Sequence, residues 1–160
     1  MINGPKEGWQ YYFAYGSNMS TERIRRSLPL DKRRCPFATY IGIARLDGYR
    51  FIINDRKQFA TIVADSAKTV YGVLWEIPDN EFEYLDLREG VNIGANKKSL
   101  IDVIFNDKIV KAVIYVDPTT TIDLSKKPDP GYMEHIINGL TEHGIDKTNP
   151  EYYSEVLSWR

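Results

Sequence analysis

A glycine-containing loop near the start of the chain has the residue types of a binding site for a carboxylate, a phosphate or an oxyanion. The aromatic run Tyr11–Tyr15 stops at Gly16-Ser17-Asn18-Met19, and Ser20-Thr21-Glu22 then indicates the start of a helix. A buried strand that breaks at glycine and enters a helix directs several backbone N–H groups toward one point. Such donors hold anions and stabilise a developing oxyanion. An ordinary turn, with Gly16 supplying a positive φ, fits the same residues.

A second candidate for chemistry is Glu89, in the segment Asp86-Leu87-Arg88-Glu89-Gly90-Val91. The segment predicts the end of a short helix, with Gly90 as the stop signal. A carboxyl group at that point can lie against the sheet, where burial raises its pKa and suits it to take and return a proton near neutral pH. The acidic residues from Asp79 onward equally fit a solvated helix face. Taken alone, the segment leaves both interpretations open.

The other reactive side chains are better explained by structure than by chemistry. His135 and His143 are eight positions apart, which is not the spacing of two metal ligands. Ser17 has neither the glycine-x-serine-x-glycine setting of a nucleophile nor an evident histidine partner. Cys35, the only cysteine, is expected to be a small buried hydrophobe. Tyr132 is either an ordinary packing residue or one that reaches the site.

Strands in the first two thirds of the chain must position these residues. Turn signals at Asp47-Gly48 and Asn106-Asp107-Lys108 separate apolar and aromatic runs. The run from Thr69 to Ile77 is apolar on both faces, which predicts a central strand. Beyond the first aromatic run, strands are predicted at 37–46, 49–54, 59–64, 69–77, 100–105 and 109–116.

Helices are predicted after the strands. Asp79 is the expected N-cap of the short helix that ends at Gly90, and Asp129-Pro130 opens a longer helix that Gly144 closes. The inward-facing residues of the last two helices are expected to be Met133, Ile136, Ile137 and Leu140, then Tyr153, Val156 and Leu157. Strands followed by helices without regular alternation indicate an α+β fold.

About six strands of this length predict a small mixed β-barrel with flanking helices. The loop at Tyr15–Met19 would then lie at the barrel rim, where ligand sites are common. We expect residues 1–160 to form a single domain, since the sequence contains no repeat or linker.

Composition limits the function classes. The chain has 160 residues, of which 42% are apolar and 27% charged, so it can build a folded core. A net charge of −1 and no apolar run of spanning length argue against nucleic acid and membrane as partners. The start of the chain and the single cysteine indicate a cytoplasmic protein. One basic cluster is either a solvated face or a phosphate-contacting patch; it contains Arg23, Arg25, Arg26, Lys32, Arg33 and Arg34.

Three segments, in the right order, resemble the γ-glutamylcyclotransferase family. FAYGSNM followed by STERI is similar to the family's substrate-binding loop and the helix after it. LDLREGV is similar to the segment with the catalytic glutamate, and PDPGY with the Gly144-Ile145 turn and NPEY resembles the C-terminal region. The resemblance covers roughly residues 10–157. It is closer to members that cleave γ-glutamyl amino acids than to the glutathione-specific branch.

The resemblance implies a γ-glutamyl cyclotransferase-like barrel that works without metal or cofactor. Its implied reaction converts a small-molecule γ-glutamyl amine or amino acid into 5-oxoproline and a free amine, with Glu89 as general acid and base. The implied assembly is a monomer or homodimer. The residues implied for substrate binding are Tyr15, Gly16, Ser17, Asn18, Met19 and Tyr132.

The sequence departs from the family at one position. Many members have a tyrosine seven residues after the glutamate, where this chain has Asn96. Lys97 and Lys98 favour a carboxylate-bearing leaving group if they face the pocket, and are otherwise simply exposed. Two alternatives share the fold: a ligand-binding module that has lost the chemistry, and removal of a γ-glutamyl protecting group in natural-product maturation. An acid retained at Glu89 favours an enzyme.

Overall fold

Five strands close into a barrel in the computed structural model, which describes residues 4–26 and 34–160. The strand order is β1-β3-β2-β4-β5. The barrel closes where β1 meets β5 in parallel, through Tyr12 and Val113, and the other pairs are antiparallel, so the mixed α+β barrel is confirmed. The strands are β1 (Trp9–Ala14), β2 (Thr39–Ile53), β3 (Ala60–Pro78), β4 (Lys97–Phe105) and β5 (Lys108–Val116).

The prediction of about six strands was wrong because β2 and β3 each run through a predicted break. Asp47 pairs with Thr69 and Tyr49 pairs with Ala64, so the strands stay paired on both sides of an irregularity in which residues 65–68 of β3 lie opposite Gly48. At this irregularity Gly48 has a left-handed φ of +86°, a conformation that glycine adopts without steric cost. The turn signal at Asp47-Gly48 therefore marks a local bend within one long hairpin.

The core lies between the barrel wall and the helices. The predicted central strand lies in β3, which pairs with β1 and β2. A closed barrel has no edge strand, so each strand pairs on both sides. Its residues Val70, Val73, Leu74 and Trp75 are fully buried. At the β4–β5 turn, Asn106 and Asp107 both have positive φ, the geometry of a type I′ hairpin turn.

Short helices cover one side of the barrel. The elements are α1 (Thr21–Arg25), α2 (Phe82–Arg88), α3 (Pro130–Glu142), α4 (Ile145–Thr148) and α5 (Pro150–Leu157), with 3₁₀ turns at Ser17–Met19, Asp79–Glu81 and Val91–Ile93. The predicted cap of α3 is confirmed, because the Asp129 side chain accepts from the N–H groups of Gly131 and Tyr132. Within the described ranges, no helix has the length and apolar character that a bilayer span requires.

Two helix details differ from the prediction. Asp79 begins a 3₁₀ turn and makes no capping hydrogen bond with its side chain. In α5 the buried residues are Tyr152 and Val156, whereas Tyr153 and Leu157 are half-buried. The inward face of this short helix is rotated by about one residue, because Tyr152 packs against the ring of Tyr71.

The helix α3 fixes the segment that follows β1. A Cβ atom on Gly139 would lie 2.5 Å from Met19 Cβ and 2.9 Å from the Ser20 nitrogen, so only glycine permits this approach. The Met19 side chain is completely buried under the helix. The end of β1 is therefore clamped between the barrel and α3.

Candidate active site

A cavity of about 290 Å³ at one mouth of the barrel brings the sequence candidates together. The ends of β1, β2 and β5 and the starts of β3 and β4 meet at this mouth. The predicted site residues on its wall are Tyr15, Gly16, Ser17, Asn18, Glu89 and Tyr132. Met19 does not line it, because its side chain is buried against α3.

Residues Tyr15–Asn18, here called the donor loop, offer backbone N–H groups to the cavity. Within residues 4–26 and 34–160, none of the N–H groups of Gly16, Ser17 and Asn18 donates to another residue. The φ of Gly16 is −112°, so the expected alternative of a turn with positive φ is wrong. A Cβ at Gly16 would lie 3.3 Å from Ala60 Cβ, a tight contact, and 3.6 Å from the Tyr132 hydroxyl, so a side chain larger than alanine would crowd the cavity wall.

Core side chains hold the donor loop from behind. The indole N–H of Trp75 donates to the Asn18 carbonyl at 3.0 Å, and His143 Nε2 lies 2.8 Å from the Met19 carbonyl. Because a carbonyl only accepts, Nε2 of His143 carries the proton in this contact. His143 stacks on Tyr40, with ring centroids 4.7 Å apart. It therefore has the structural role expected from the sequence.

Glu89 is the residue that follows α2, and its half-buried carboxyl group lines the cavity. Leu85, on the preceding turn, is buried and anchors the helix. Burial raises the pKa of the Glu89 carboxyl group, against the opposing effects of Arg88, a hydrogen bond from Asn96, and Arg23. This is the carboxyl group expected to lie against the sheet, and the solvated-face alternative does not describe it.

The chain turns back on itself directly after Glu89. We call residues Glu89–Asn96 the shuttle turn. Gly90 has a left-handed φ of +67°, and its carbonyl accepts from the Ala95 N–H at 3.0 Å. A Cβ on Gly90 would lie 2.8 Å from Ala95 Cβ, so a side chain there would push the turn open. The turn ends with Asn96 Nδ2 at 2.8 Å from Glu89 Oε2 and 3.0 Å from the Glu89 carbonyl.

Tyrosine side chains also line the cavity: Tyr12, Tyr15, Tyr115 and Tyr132. The Tyr15 hydroxyl donates to the Tyr115 carbonyl at 2.5 Å, and the Tyr132 hydroxyl accepts from the Ala60 N–H at 3.0 Å. Burial raises the pKa of each phenol, that of Tyr132 to about 12, and the charge of Glu89 adds to every shift. All four are neutral hydrogen-bonding groups at physiological pH.

Cationic side chains also reach the cavity. Arg23, Lys57 and Arg88 line it, and Glu89 is the carboxylate among the lining residues. Burial lowers the pKa of the Arg88 guanidinium to about 10, with further lowering by Arg23 and Arg34. Arg88 therefore stays charged at neutral pH, and the cavity favours an anionic ligand.

The lysines after Asn96 do not line the cavity. Lys98 forms an ion pair with Asp86 at 3.1 Å and lies over the Phe82 ring, and Lys97 is exposed. Asn96 does line it, so the sequence departure lies at the site itself.

The basic cluster is split by the fold. Arg23 lines the cavity, whereas Arg25 donates through Nε to the Ala38 carbonyl at 2.8 Å. Lys32 and Arg33 lie outside the described residues.

Several cavity residues were not predicted as site residues. Tyr12 and Tyr115 lie in strands and carry no signal that separates them from core. Lys57 and Phe59 come from the β2–β3 connection, whose position at the mouth depends on the length of the hairpin. Phe59 packs at 5.0 Å from the Tyr132 ring and remains 49% exposed, so it forms part of the cavity entrance.

Comparison with known proteins agrees with this geometry. A family model described as "AIG2-like family" matches residues 69–157. The chain is 30% identical to gamma-glutamylcyclotransferase of Homo sapiens, over 98% of this chain and 81% of that protein. It is 29% identical to the Mus musculus protein of the same name, over 91% and 76%. A solved structure of a gamma-glutamyl cyclotransferase superposes with a TM-score of 0.81 at 25% identity, over 95% of this chain and 88% of that one.

The chain belongs to the AIG2-like family. The resemblance predicted from three sequence segments is thereby confirmed. The general function of the chain is that of an enzyme of the gamma-glutamylcyclotransferase type. Its curated mammalian relatives share that name.

Proposed function

We propose that the enzyme cyclises a γ-glutamyl amine or amino acid to 5-oxoproline and releases the free amine, with Glu89 as general acid and base. The observation that carries this proposal is the shared cavity. A carboxyl group with a raised pKa and a loop of unused N–H donors line the same 290 Å³ space. Those are the groups that an intramolecular amide exchange needs.

The reaction requires no water and no redox partner. The substrate α-amine attacks its own γ-carbonyl carbon, forming the new C–N bond while Glu89 accepts a proton from the nitrogen. The carbonyl oxygen becomes an oxyanion, which the N–H groups of Gly16, Ser17 and Asn18 stabilise; one such donor contributes about 3 kcal/mol. The tetrahedral intermediate then collapses, the original C–N bond breaks, and Glu89 returns the proton to the leaving nitrogen.

Neutral groups on the wall would orient the folded substrate. The Asn18 Oδ1 atom is buried and has no hydrogen-bond partner in the described part of the chain, so it offers an acceptor for a substrate N–H. Tyr15 and Tyr132 would line the glutamyl pocket. Because the attack is intramolecular, holding this conformer supplies much of the rate enhancement.

The cations of the cavity favour a leaving group that carries a carboxylate. Arg23, Lys57 and Arg88 line the cavity together with Glu89. A γ-glutamyl amino acid brings two carboxylates to these cations, whereas a neutral γ-glutamyl amine brings one. Removal of a γ-glutamyl protecting group from a larger amine would use the same chemistry with a different leaving group.

The test is 5-oxoproline release from a panel of γ-glutamyl amino acids and γ-glutamyl amines. Wild-type enzyme should release 5-oxoproline, and Glu89→Gln should reduce turnover by about 1,000-fold or more, since it removes both proton transfers. Glu83→Gln is the matched control, because Glu83 is exposed on the same helix. Full turnover by Glu89→Gln would reject the assignment of Glu89. Binding without release by the wild type would favour the ligand-binding module.

A further inference from the structure

The amide group of Asn96 makes two hydrogen bonds to one residue. Its Nδ2 atom lies 2.8 Å from Glu89 Oε2 and 3.0 Å from the Glu89 carbonyl oxygen. Both neighbours are acceptors when the carboxyl group is ionised, and a primary amide nitrogen carries two hydrogens. The two contacts therefore fix the orientation of the amide, with nitrogen toward Glu89.

The structure braces Asn96 from the other side. The Ala95 N–H donates to the Gly90 carbonyl at 3.0 Å, which closes the shuttle turn. The Arg56 guanidinium donates through Nη2 to the Ala95 carbonyl at 3.2 Å and to Asp117 Oδ1 at 2.8 Å. Asp117 is 3% exposed and also accepts from Asn54 at 3.0 Å. A buried carboxylate at the end of β5 thus holds the backbone next to Asn96.

We propose that Asn96 is a positioning residue for the proton shuttle, which holds the Glu89 carboxylate in one orientation at the cavity wall and stabilises its ionised form. The proposal rests on the proposed role of Glu89. A free glutamate side chain explores several rotamers, and a fixed donor at Oε2 selects one of them. In this role Asn96 acts through Glu89 and does not contact the reacting atoms of the substrate.

The amide opposes the effect of burial on Glu89. Burial raises the pKa of the carboxyl group, and the Asn96 hydrogen bond lowers it. Loss of the amide should therefore leave Glu89 protonated to a higher pH. Other charged or titratable groups face Glu89 from neighbouring elements and stay in place in this comparison: Arg88, Arg23, Tyr12, Tyr15, Tyr115, Tyr132 and Lys57.

The experiment compares Asn96→Leu with Asn92→Leu. Both change an asparagine of the shuttle turn to leucine, but Asn92 is exposed and does not line the cavity. For Asn96→Leu we expect the acid limb of the kcat/KM profile to move up by about one pH unit, since a hydrogen bond to a charged group has about that effect. The kcat at the optimum should fall about tenfold, with KM changed less. Asn92→Leu should keep the wild-type profile.

A second measurement needs no turnover. The ¹³C shift of the Glu89 side-chain carboxyl carbon, assigned by its absence in Glu89→Gln, gives the titration midpoint directly. This midpoint should rise in Asn96→Leu by the same amount as the acid limb. If the wild type releases no 5-oxoproline, the proposed function fails while the midpoint still tests the contact. An unchanged midpoint in folded Asn96→Leu would overturn the inference.

Three further variants, Asn96→Gln, Asn96→Ala and Arg56→Lys, keep the test decisive if Asn96→Leu does not fold. Asn96→Gln retains an amide donor and should keep the midpoint closer to wild type. Arg56→Lys keeps the charge near Asp117 but cannot span both acceptors, so it should raise the midpoint by a smaller amount. Two results together would contradict the proposal. The midpoint would shift equally in Asn96→Gln and Asn96→Ala, and it would stay at the wild-type value in Arg56→Lys.

Discussion

The donor loop and the shuttle turn line the same cavity, but the protein holds them in different ways. The donor loop is buried, with Tyr15 at 7% and Asn18 at 3% exposure, and it is clamped by Trp75 and α3. The shuttle turn is half-buried, its Ile93 is 77% exposed, and backbone and amide hydrogen bonds hold it. The donor loop is therefore fixed mainly by packing, whereas the shuttle turn is fixed mainly by hydrogen bonds.

The largest effect is expected where the donor loop depends on packing. Gly139→Ala places a Cβ 2.5 Å from Met19 Cβ, and overpacking of this kind costs about 2 kcal/mol. The free energy of unfolding in urea and kcat/KM should fall together, because the same contact sets both. Asn138→Ala, at an exposed position on the same helix, should change neither. A fall in stability with wild-type kcat/KM in Gly139→Ala would mean that α3 does not position the loop.

Glycine substitutions in the shuttle turn are expected to have a smaller effect on stability. They should also affect stability and activity differently. Gly90→Ala and Gly94→Ala both place alanine at a left-handed φ, which costs about 1 kcal/mol of stability in each. Only at Gly90 does the new Cβ meet a neighbour, Ala95 Cβ at 2.8 Å. Activity should therefore fall about tenfold in Gly90→Ala alone, because a shift at Ala95 moves the next residue away from Glu89. Equal activities in the two variants would show that the close approach of Gly90 and Ala95 does not affect activity.

The smallest effect is a gain in stability from Glu89→Gln. Burial raises the pKa of Glu89 in the folded state, so the ionised carboxylate is destabilising above that pKa. Removing the charge should raise Tm near pH 7 by a few degrees. The gain should shrink as pH falls and vanish below the unfolded-state pKa, where both states are protonated. Thermal melts from pH 4 to pH 8, with Glu83→Gln as control, measure this change in Tm. A lower Tm for Glu89→Gln than for wild type near pH 7 would contradict the prediction.

The same contrast explains what the sequence predicted and what it did not. The donor loop is contiguous, so Tyr15–Asn18 could be recognised as one motif, and Glu89 was marked by the Gly90 stop. The contact from Asn96 could not be predicted, because it depends on a left-handed glycine that brings two residues seven positions apart into contact. A turn signal says that the chain reverses and does not say which side chains then meet.

The cavity residues that closure of the barrel brings together also could not be predicted from the sequence. The alternation of Tyr12 and Tyr115 in their strands is the same for a core position and for the wall of a cavity at a barrel mouth. Lys57 and Phe59 reach the site only because β2 and β3 continue through the irregularity at Asp47/Tyr49. The turn propensity of Asp47-Gly48 predicts a strand break at this point. Strand pairing along the rest of the hairpin overrides that local propensity.

The parallel closure of β1 on β5 has a consequence for the order of assembly. The hydrogen bond from Tyr15 to Tyr115 joins residues 100 positions apart, and Tyr12 meets Val113 in the same seam. Contacts of such sequence separation form late, because the intervening chain must first lose its conformational freedom. The donor loop and Glu89 both precede β5 in the chain, so a nascent chain holds these two cavity segments before the strand that closes the barrel. The complete cavity should therefore form only when β5 closes the barrel.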